Sequence, residues 1–543
     1  MREIATKVLI VGGGTGGIAA ALALGSRGID CTVIDPFEWI GGQLTSQAVP
    51  PDENQWVETF GATARYQKFR DLVRAWYRTN RTLTAAATQV PHLNPGGGWV
   101  SRLCAEPRVM HDVLQQMLRA VTRNGSPRII TGMKPVAATS SGDRVDSVEF
   151  RACGPTALDQ SLIVRAEMVL DATELGDVYA LAGIEHAIGA EHRDVYGEMH
   201  GREDATDPMD QQAFSWCFAV EHRPGENHTI PKPENYDFWA CYVPKMVPKW
   251  CGPLFSWTVP SHNVEGSRTF PFIPAPERCP EGMWDMWRYR RIVESALYEN
   301  PSEHPDVCLV NWVQMDYWLT PLLGVDEPTQ AKALAGAREQ SMALLYWMQT
   351  SAPRLDGTIG FPGLKLRGHE LGTRDGFAMA PYIREPRRLL ARTMVSEAHI
   401  GTEQRRAEGK ANQDLSPFGL AEPFADSVGI GHYTLDLHPS TSGRNSLYVP
   451  AAPFRIPLGS LIPVRVRNVI AAGKGIGVTH ITNGCYRMHH TEWNIGESAG
   501  LLAAFCLDRK LEPAQVHADA ARIEDFQREL VAEGVRIAWP WEK

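Results

Sequence analysis

Residues 8–17 read Val-Leu-Ile-Val-Gly-Gly-Gly-Thr-Gly-Gly, and this stretch decides the fold. The four apolar residues predict a buried strand, and the alanine-rich segment 15–27 that begins at Thr15 predicts a helix. The glycines between them have the spacing Gly-x-Gly-x-x-Gly. Gly12 permits a tight turn, Gly14 lets a pyrophosphate approach the backbone, and Gly17 lets helix and strand pack closely. The first turn of the helix would then point its free N–H groups at the phosphates.

A second strand is predicted over 29–34, and Asp35 follows it. An acidic residue at this position, about 20 residues after the glycines, can accept hydrogen bonds from ribose hydroxyls. A tight turn without a ligand is the alternative. Strand, glycines, helix, strand and acid in register favour a dinucleotide-binding βαβ unit.

The remaining periodicity divides the chain into parts. Amphipathic helices are predicted over about 62–79 and from Pro107 onward, and strands over 128–130, 145–150, 162–170 and 469–472. A final helix is predicted over about 491–507, and a helix in the C-terminal tail over about 517–533. From about 194 to 365 the chain is rich in Trp and Pro, and its periodicity is weak. We therefore predict a discontinuous nucleotide-binding domain (1–195 and 380–510), an inserted α+β domain that shapes a pocket (196–379) and a helical tail (511–543).

Composition excludes several classes of protein. The 543 residues carry a net charge of -9 with both signs scattered, so a nucleic-acid partner is not expected. No apolar run reaches the ~18 residues of a membrane-spanning helix, and the run at 8–11 is too short for a signal peptide. The 10 cysteines include no Cys-x-x-Cys pair, which argues against a metal or iron–sulfur site. We expect free thiols in a reducing cytoplasm.

Four further segments carry a family resemblance. They are Gly41-Gly42-Gln43-Leu44-Thr45, Leu170 to Asp177, Asn468 to Lys474, and Gly496 to Gly500. Together they resemble FAD-dependent oxidoreductases that have the glutathione-reductase type of FAD domain. The resemblance implies a Rossmann-like α/β fold and an FAD cofactor. It also implies a set of FAD-binding residues: Gly12, Gly14, Thr15, Gly17, Asp35, Gly41, Gly42, Gln43, Thr45, Met133, Ala172, Thr173, Gly176, Gly473, Lys474 and Gly496.

A second group of segments narrows the resemblance. Pro381 to Arg388, Asp426 to Val428, Tyr433 to His438 and Ile456 to Pro463 resemble the "FAD-dependent oxidoreductase" family related to fumarate-reductase flavoproteins. The resemblance covers about 1–180 and 380–505, and the inserted stretch lies outside it. His489 and His490 stand where relatives commonly carry a polar-Pro-Thr segment. We expect noncovalent FAD, with covalent attachment to a histidine as the alternative.

Candidate catalytic residues come from the segment before the last helix. Oxidising an alcohol or amine carbon needs hydride transfer to the flavin and a base for the departing proton, and histidine suits that task. The predicted bases are His490 or His489, with His480 as a further candidate. Asn483 and Tyr486 could orient a substrate hydroxyl. The alternative is that these residues only hold the loop.

For several other residues the sequence supports both a binding role and a structural role. Arg384 could bind a substrate carboxylate, although a structural role beside Glu385 is equally compatible with the pattern. Asp436 and His438 follow the family pattern and are interpreted first as structural, and His432 is a weaker catalytic candidate. The tryptophans of the insert suit a core as well as the walls of a pocket for sugars or flat rings.

The sequence thus predicts an FAD-dependent dehydrogenase or oxidase acting on a small polar molecule, such as an alcohol, sugar or amine. The alternatives are a flavoprotein monooxygenase, or an electron-transfer or redox-neutral flavoprotein. Expected partners are the small-molecule substrate and an electron acceptor, with homo-oligomers allowed and neither nucleic acid nor membrane involved.

Overall fold

The computed structural model describes residues 2–154, 160–263, 266–410 and 418–542. The first part of the chain forms the βαβ unit and the strands that extend it. Its elements are β1 (Arg2–Val11), α1 (Thr15–Ser26), β2 (Cys31–Asp35), α2 (Ala64–Asn80), α3 (Ala85–Thr88), α4 (Pro107–Val121), β3 (Arg128–Thr131), β4 (Met133–Ser141), β5 (Arg144–Ala152), β6 (Ser161–Asp171) and α5 (Asp177–Leu181).

The middle of the chain has short strands and one long helix. Its elements are β7 (His186–Ala187), α6 (Arg193–Tyr196), β8 (Phe214–Ser215), β9 (Phe218–His222), α7 (Tyr236–Cys241), β10 (Thr258–Pro260), β11 (Ser267–Thr269), α8 (Met286–Tyr289), β12 (Arg291–Val293), β13 (Val307–Val310), β14 (Asp316–Tyr317), α9 (Glu327–Thr350) and β15 (Leu364–Leu366).

The last part returns to the nucleotide-binding region and ends in helices. Its elements are β16 (Arg388–Leu389), α10 (Glu397–Ile400), α11 (Thr402–Ala407), β17 (Ser427–Gly431), β18 (Leu435–Leu437), β19 (Leu447–Val449), β20 (Phe454–Pro457), β21 (Val469–Ala471), α12 (His480–Tyr486), α13 (His489–Arg509), α14 (Pro513–His517) and α15 (Ala520–Ala532).

One mixed sheet organises the molecule. Its strand order is β3-β2-β1-β6-β5-β4, and β21 also pairs with β6. The pairs β1–β2, β2–β3, β1–β6 and β6–β21 are parallel, whereas β4–β5 and β5–β6 are antiparallel. β6 pairs in parallel with β1 along its whole length; on its other edge, its first half pairs antiparallel with β5 and its end pairs in parallel with β21. This confirms the predicted Rossmann-like α/β fold.

Helices cover the parallel part of the sheet. Val8, Leu9, Ile10 and Val11 are fully buried, which is why this run is apolar without alternation. The last long helix, α13, packs along α1. The side chains on the shared face are small, so the two helix backbones approach closely.

A second core lies within the middle of the chain. It is built from buried aromatic and aliphatic side chains between Ala213 and Ile383, including Trp250, Trp287 and Trp312. A four-stranded sheet of order β12-β13-β9-β15 lies in this region. Most tryptophans of the insert are therefore core residues. The domain boundaries given above stay a prediction.

Two absences are observed within the described ranges. No helix there is long and apolar enough to cross a bilayer. Nor do three or more His, Cys, Asp or Glu side chains converge there as a metal-binding group.

The contact between α1 and α13 gives a stability prediction. A Cβ atom on Gly496 would lie 1.9 Å from the carbonyl oxygen of Gly16, which is backbone and cannot swing aside. We expect Gly496→Ala to lower the free energy of unfolding by about 2–3 kcal/mol, as other overpacked sites do. The measurement is the urea midpoint of the mutant, with Lys332→Ala on the exposed face of α9 as a control that stays near wild type. An unchanged midpoint for Gly496→Ala would refute this packing.

Candidate active site

The glycine loop after β1 forms a cradle that only glycine permits. Gly12 has φ +97, and a Cβ atom on it would lie 2.3 Å from the carbonyl oxygen of Ala172. A Cβ atom on Gly17 would lie 2.1 Å from the carbonyl oxygen of Gly12. The loop is therefore pressed against the end of β6, and α1 begins at Thr15 with its free N–H groups at the loop.

Asp35 closes the loop from the end of β2. Its carboxylate accepts hydrogen bonds from the backbone N–H of Gly13 (2.6 Å) and of Phe37 (2.8 Å). Burial raises the pKa of Asp35 to about 7, although both N–H groups oppose that shift. In this structure Asp35 fixes the loop, and its predicted contact with a ribose stays a prediction.

The segment 41–45 lies directly against the glycine loop. Gly41 and Gly42 have φ +110 and +54, and the hydroxyl of Thr15 donates to the carbonyl of Gly41 at 3.0 Å. The hydroxyl of Thr45 donates to the carbonyl of Ile40 at 2.6 Å. The Gln43 amide donates to the carbonyl of Arg487 at 3.0 Å. Two segments that are far apart in sequence thus meet at this point.

The end of β6 supplies the next wall. Asp171 accepts hydrogen bonds from the backbone N–H (2.9 Å) and hydroxyl (2.7 Å) of Thr173. Gly176 has φ +65, which a side chain would strain. Met133 begins β4 beyond β3 and is half-buried, so it lies at the margin of this region.

Lys474, just past β21, is a buried cation between carboxylates. It forms an ion pair with Glu174 and donates to the carbonyl of Ile383 at 2.7 Å. Burial alone would lower the pKa of Lys474, but the charges of Glu174 and Glu492 outweigh it and raise the pKa. Burial raises the pKa of Glu492 to about 7, and this carboxyl accepts a hydrogen bond from Gln43.

These walls fit FAD. Buried polar atoms line the region without a hydrogen-bond partner among the described residues, namely Gln43 Oε1, Gln47 Oε1, Glu174 Oε1 and His489 Nε2. A Cβ atom on Gly14 or Gly42 would lie 2.8 Å from Glu174 Oε1, so backbone and orphaned polar groups face one space. A glycine cradle, a helix N-terminus and unpaired polar groups are what a dinucleotide with a polar flavin ring requires.

The two histidines at the start of α13 are buried. The backbone N–H of Asp52 donates to His489 Nδ1 at 3.0 Å. Burial lowers the pKa of His489 well below its usual value and that of His490 to about 3. Both rings are therefore neutral at neutral pH and weak proton acceptors. Their predicted role as bases stays a prediction that this environment does not favour.

The other predicted catalytic residues each form hydrogen bonds with partners inside the protein. His480 lies between Glu385 (Nδ1 to Oε1, 2.9 Å) and Arg444 (2.8 Å). The Tyr486 hydroxyl donates to a backbone carbonyl at 2.9 Å, and Asn483 Oδ1 accepts from Gln212 at 3.4 Å. Each of these side chains is thus held by the protein itself. The structure does not bring the whole predicted set together around one point.

A different set of residues forms a connected group, which we call the aspartate–histidine chain: Asp316, His438, Asp436, Arg487 and Tyr382. His438 Nδ1 lies 2.6 Å from Asp316 Oδ2, and His438 Nε2 lies 3.8 Å from Asp436 Oδ2. Arg487 donates to Asp436 at 3.1 Å and to the Tyr382 hydroxyl at 2.6 Å.

Arg384 also contacts this group, through Asp316 rather than through the neighbouring Glu385. Its guanidinium lies 2.9 Å from Asp316 Oδ1 and donates to the carbonyl of Ala213 at 2.8 Å. Burial alone would raise the pKa of Asp316, but Arg384 and His438 lower it, so this carboxylate stays ionised. Asp436 follows the same pattern, with its pKa held below the usual range by His438 and Arg487 against burial.

The group has one signal in the sequence, the Asp436-x-His438 spacing. Asp316 offered no signal, because it lies in the insert and its contact with His438 spans 122 residues.

Comparison with known proteins now decides the family. The model of the family "FAD dependent oxidoreductase" matches residues 7–530. The chain belongs to this family. FAD is therefore its cofactor, and the enzyme is an oxidoreductase. A search of curated proteins finds no match.

Solved structures show limited likeness to this FAD-dependent oxidoreductase. L-proline dehydrogenase from P. horikoshii aligns at 14% identity over 36% of this chain and 25% of that chain, with a TM-score of 0.18. OxyS anhydrotetracycline hydroxylase from Streptomyces rimosus aligns at 16% identity over 41% of this chain and 39% of that chain, with a TM-score of 0.22. The p-nitrophenol 4-monooxygenase PnpA from Pseudomonas putida aligns at 16% identity over 41% of this chain and 48% of that chain, with a TM-score of 0.23. The chain thus spans less than half the length of each of these proteins.

The cradle gives a binding prediction. Gly14 has φ -63, and the atom nearest to an added Cβ is the mobile end of Glu174, so Gly14→Ala should fold normally. The same Cβ would occupy the approach of the phosphates, and we expect FAD affinity to fall about tenfold or more, or at least ~1.4 kcal/mol. Titration of FAD-free protein by flavin fluorescence measures this. Lys332→Ala, exposed on α9 in the middle of the chain, is the control that keeps wild-type affinity. Equal affinity of the two variants would contradict the assignment of the cradle.

Proposed function

We propose that this flavoenzyme oxidises an alcohol, sugar or amine carbon of a small polar molecule, with His438 as the base. The single observation that supports it most is the aspartate–histidine chain. In this group, the backbone carbonyl of Arg487 accepts a hydrogen bond from Gln43, a predicted FAD-binding residue. The side chain of Arg487 donates a hydrogen bond to Asp436. His438 is thus linked to the predicted FAD-binding wall through a 3.8 Å charge contact with Asp436 and the hydrogen bonds of Arg487.

His438 is set up to accept a proton at Nε2. The ionised Asp316 takes the hydrogen bond from Nδ1 and so fixes the tautomer that leaves Nε2 free as the acceptor. Asp436 lies 3.8 Å from Nε2 and stabilises the positive charge that His438 gains. The His438 side chain is 24% exposed, so a small molecule can reach it.

Bound FAD would supply the hydride acceptor for the substrate C–H bond. His438 would take the hydroxyl or ammonium proton. The protein supplies position and charge. Arg487 and Tyr382 are buried and bonded to each other, so they form a fixed wall beside the reacting group. An open cleft of about 950 Å³ lies elsewhere on the surface and is lined by residues that include Glu53, Ser101 and Arg288.

The test is anaerobic titration of the FAD-loaded protein with alcohols, sugars and amines. Loss of the visible flavin absorbance with one of these classes is the expected result. If none of them reduces the flavin, and NADH or NADPH with oxygen instead yields a hydroxylated product, the proposal is wrong and the enzyme is a monooxygenase.

Replacement of the base gives a sharper prediction. His438→Gln should slow flavin reduction by the active substrate by about 10²–10⁴, as expected when a general base is removed. The FAD content should stay at the wild-type level, because His438 contacts none of the glycine-loop residues. The measurement is anaerobic stopped-flow absorbance.

His369→Gln is the matched control, since this histidine is exposed and its side chain has no hydrogen bond in the described part of the chain. A reduction rate that His438→Gln leaves unchanged would remove His438 from the role of base.

A further inference from the structure

Arg290 is a buried cation that the protein satisfies only in part: its guanidinium lies over the Tyr289 ring, 5.1 Å from the centroid, but lacks hydrogen bonds within the described ranges. Its residue is 8% exposed, and its only charged partner within salt-bridge range among the described residues is Asp52, at 3.7 Å. Its Nε and Nη1 atoms are buried and have no hydrogen-bond partner in those ranges. Burying an ionised group without hydrogen bonds is costly, so such a group points to a missing partner.

Other buried arginines in the described structure are better satisfied. Arg388 bonds Glu385, Glu191 and the carbonyl of Gly189. Arg74 bonds Glu58 twice and the carbonyl of Leu93. Arg290 alone leaves two guanidinium nitrogens buried and unpaired within the part of the chain described here.

The surroundings of Arg290 define a recess, which we call the arginine recess: Arg290, Asp52, Tyr289 and Tyr433. Tyr289 and Tyr433 are half-buried, whereas Arg290 is 8% exposed. Burial raises the pKa of both phenols, and they stay protonated and able to donate. Burial also raises the pKa of Asp52, against the charges of Arg290 and Arg487.

The recess adjoins the aspartate–histidine chain. The charges of Arg487, Asp436 and His438 all act on Asp52. The backbone N–H of Asp52 also bonds His489 at the start of α13, which belongs to the FAD-binding wall. An anion held by Arg290 would thus lie beside Asp52, on which the charge of His438 also acts.

We propose that Arg290 binds a carboxylate of the substrate, so that the enzyme acts on carboxylic acids that carry the oxidisable hydroxyl or amino group. A carboxylate matches the planar, forked donors of a guanidinium. This inference rests on the proposed function for the identity of the oxidised group, but the binding of the carboxylate can be measured without turnover.

The experiment uses the FAD-loaded enzyme and acids that it cannot oxidise. Acetate, malonate and benzoate are titrated against their amides, acetamide, malonamide and benzamide, by the change in flavin absorbance and by calorimetry. We expect at least one acid to bind at least tenfold more tightly than its amide. Amides that bind as well as the acids would overturn the proposal.

Variants locate the site. Arg290→Met should weaken binding of that acid at least tenfold, and Arg290→Lys should weaken it less, because it keeps the charge but loses the forked geometry. Arg288→Met is the matched control, since Arg288 lies over Trp99 and lines the open cleft. Acid binding that survives Arg290→Met would place the carboxylate elsewhere and overturn the proposal.

Two readouts separate this proposal from its alternatives. Arg290→Met removes the charged partner of Asp52 and is expected to lower the melting temperature in either case. If Arg290 serves only the fold, acid binding at temperatures where the variant is folded stays at the wild-type affinity, whereas we expect it to be lost there. His369→Gln, at the exposed control position, should keep acid binding at the wild-type affinity. Acid binding that is intact while no hydroxy or amino acid reduces the flavin would contradict the proposed function and leave the role of Arg290 standing.

Discussion

The structure depends on direct contacts between backbone segments at positions that carry no side chain. The loop at Gly12 touches the end of β6, and α13 touches α1 where Gly496 meets Gly16. Segments from the start, the middle and the end of the chain are thereby brought within van der Waals distance of one another. A side chain at any of these contacts would separate them. The FAD cradle therefore exists only because several distant positions are glycine at the same time.

The charges buried around that cradle follow from the same geometry. Closely packed backbones exclude water, so each ionised side chain needs a partner inside the protein. Lys474 is shared by Glu174 and Glu492, and Asp316 is shared by Arg384 and His438. The charges of these groups set the protonation of their neighbours. Arg290 stands apart because its partners in the described chain are incomplete.

Much of the nucleotide-binding half could be predicted from the sequence. The glycine spacing, the apolar run at 8–11 and the small residues around Gly496 are local patterns with direct structural meaning. The predicted helices over about 62–79 and 491–507 correspond to α2 and α13. Such patterns depend on neighbours within a few turns of the chain, which sequence periodicity records.

The substrate side could not be predicted in the same way. Asp316 and Arg290 lie in a region of short strands and weak periodicity, and their contacts join residues that are far apart in the sequence. His438 was visible beside Asp436, but its pairing with Asp316 was not. The histidines at the start of α13 drew attention by their position, and only burial reveals that they are weak proton acceptors.

The central claim is that FAD in the glycine cradle and the aspartate–histidine chain face one common pocket. The most direct measurement is a crystal structure of the protein with FAD bound. We expect the phosphates at the N-terminus of α1 and the flavin ring beside Gln43 and Lys474, with its exposed face toward His438. A flavin ring on the other side of the cradle, with His438 screened from it by protein, would contradict the account.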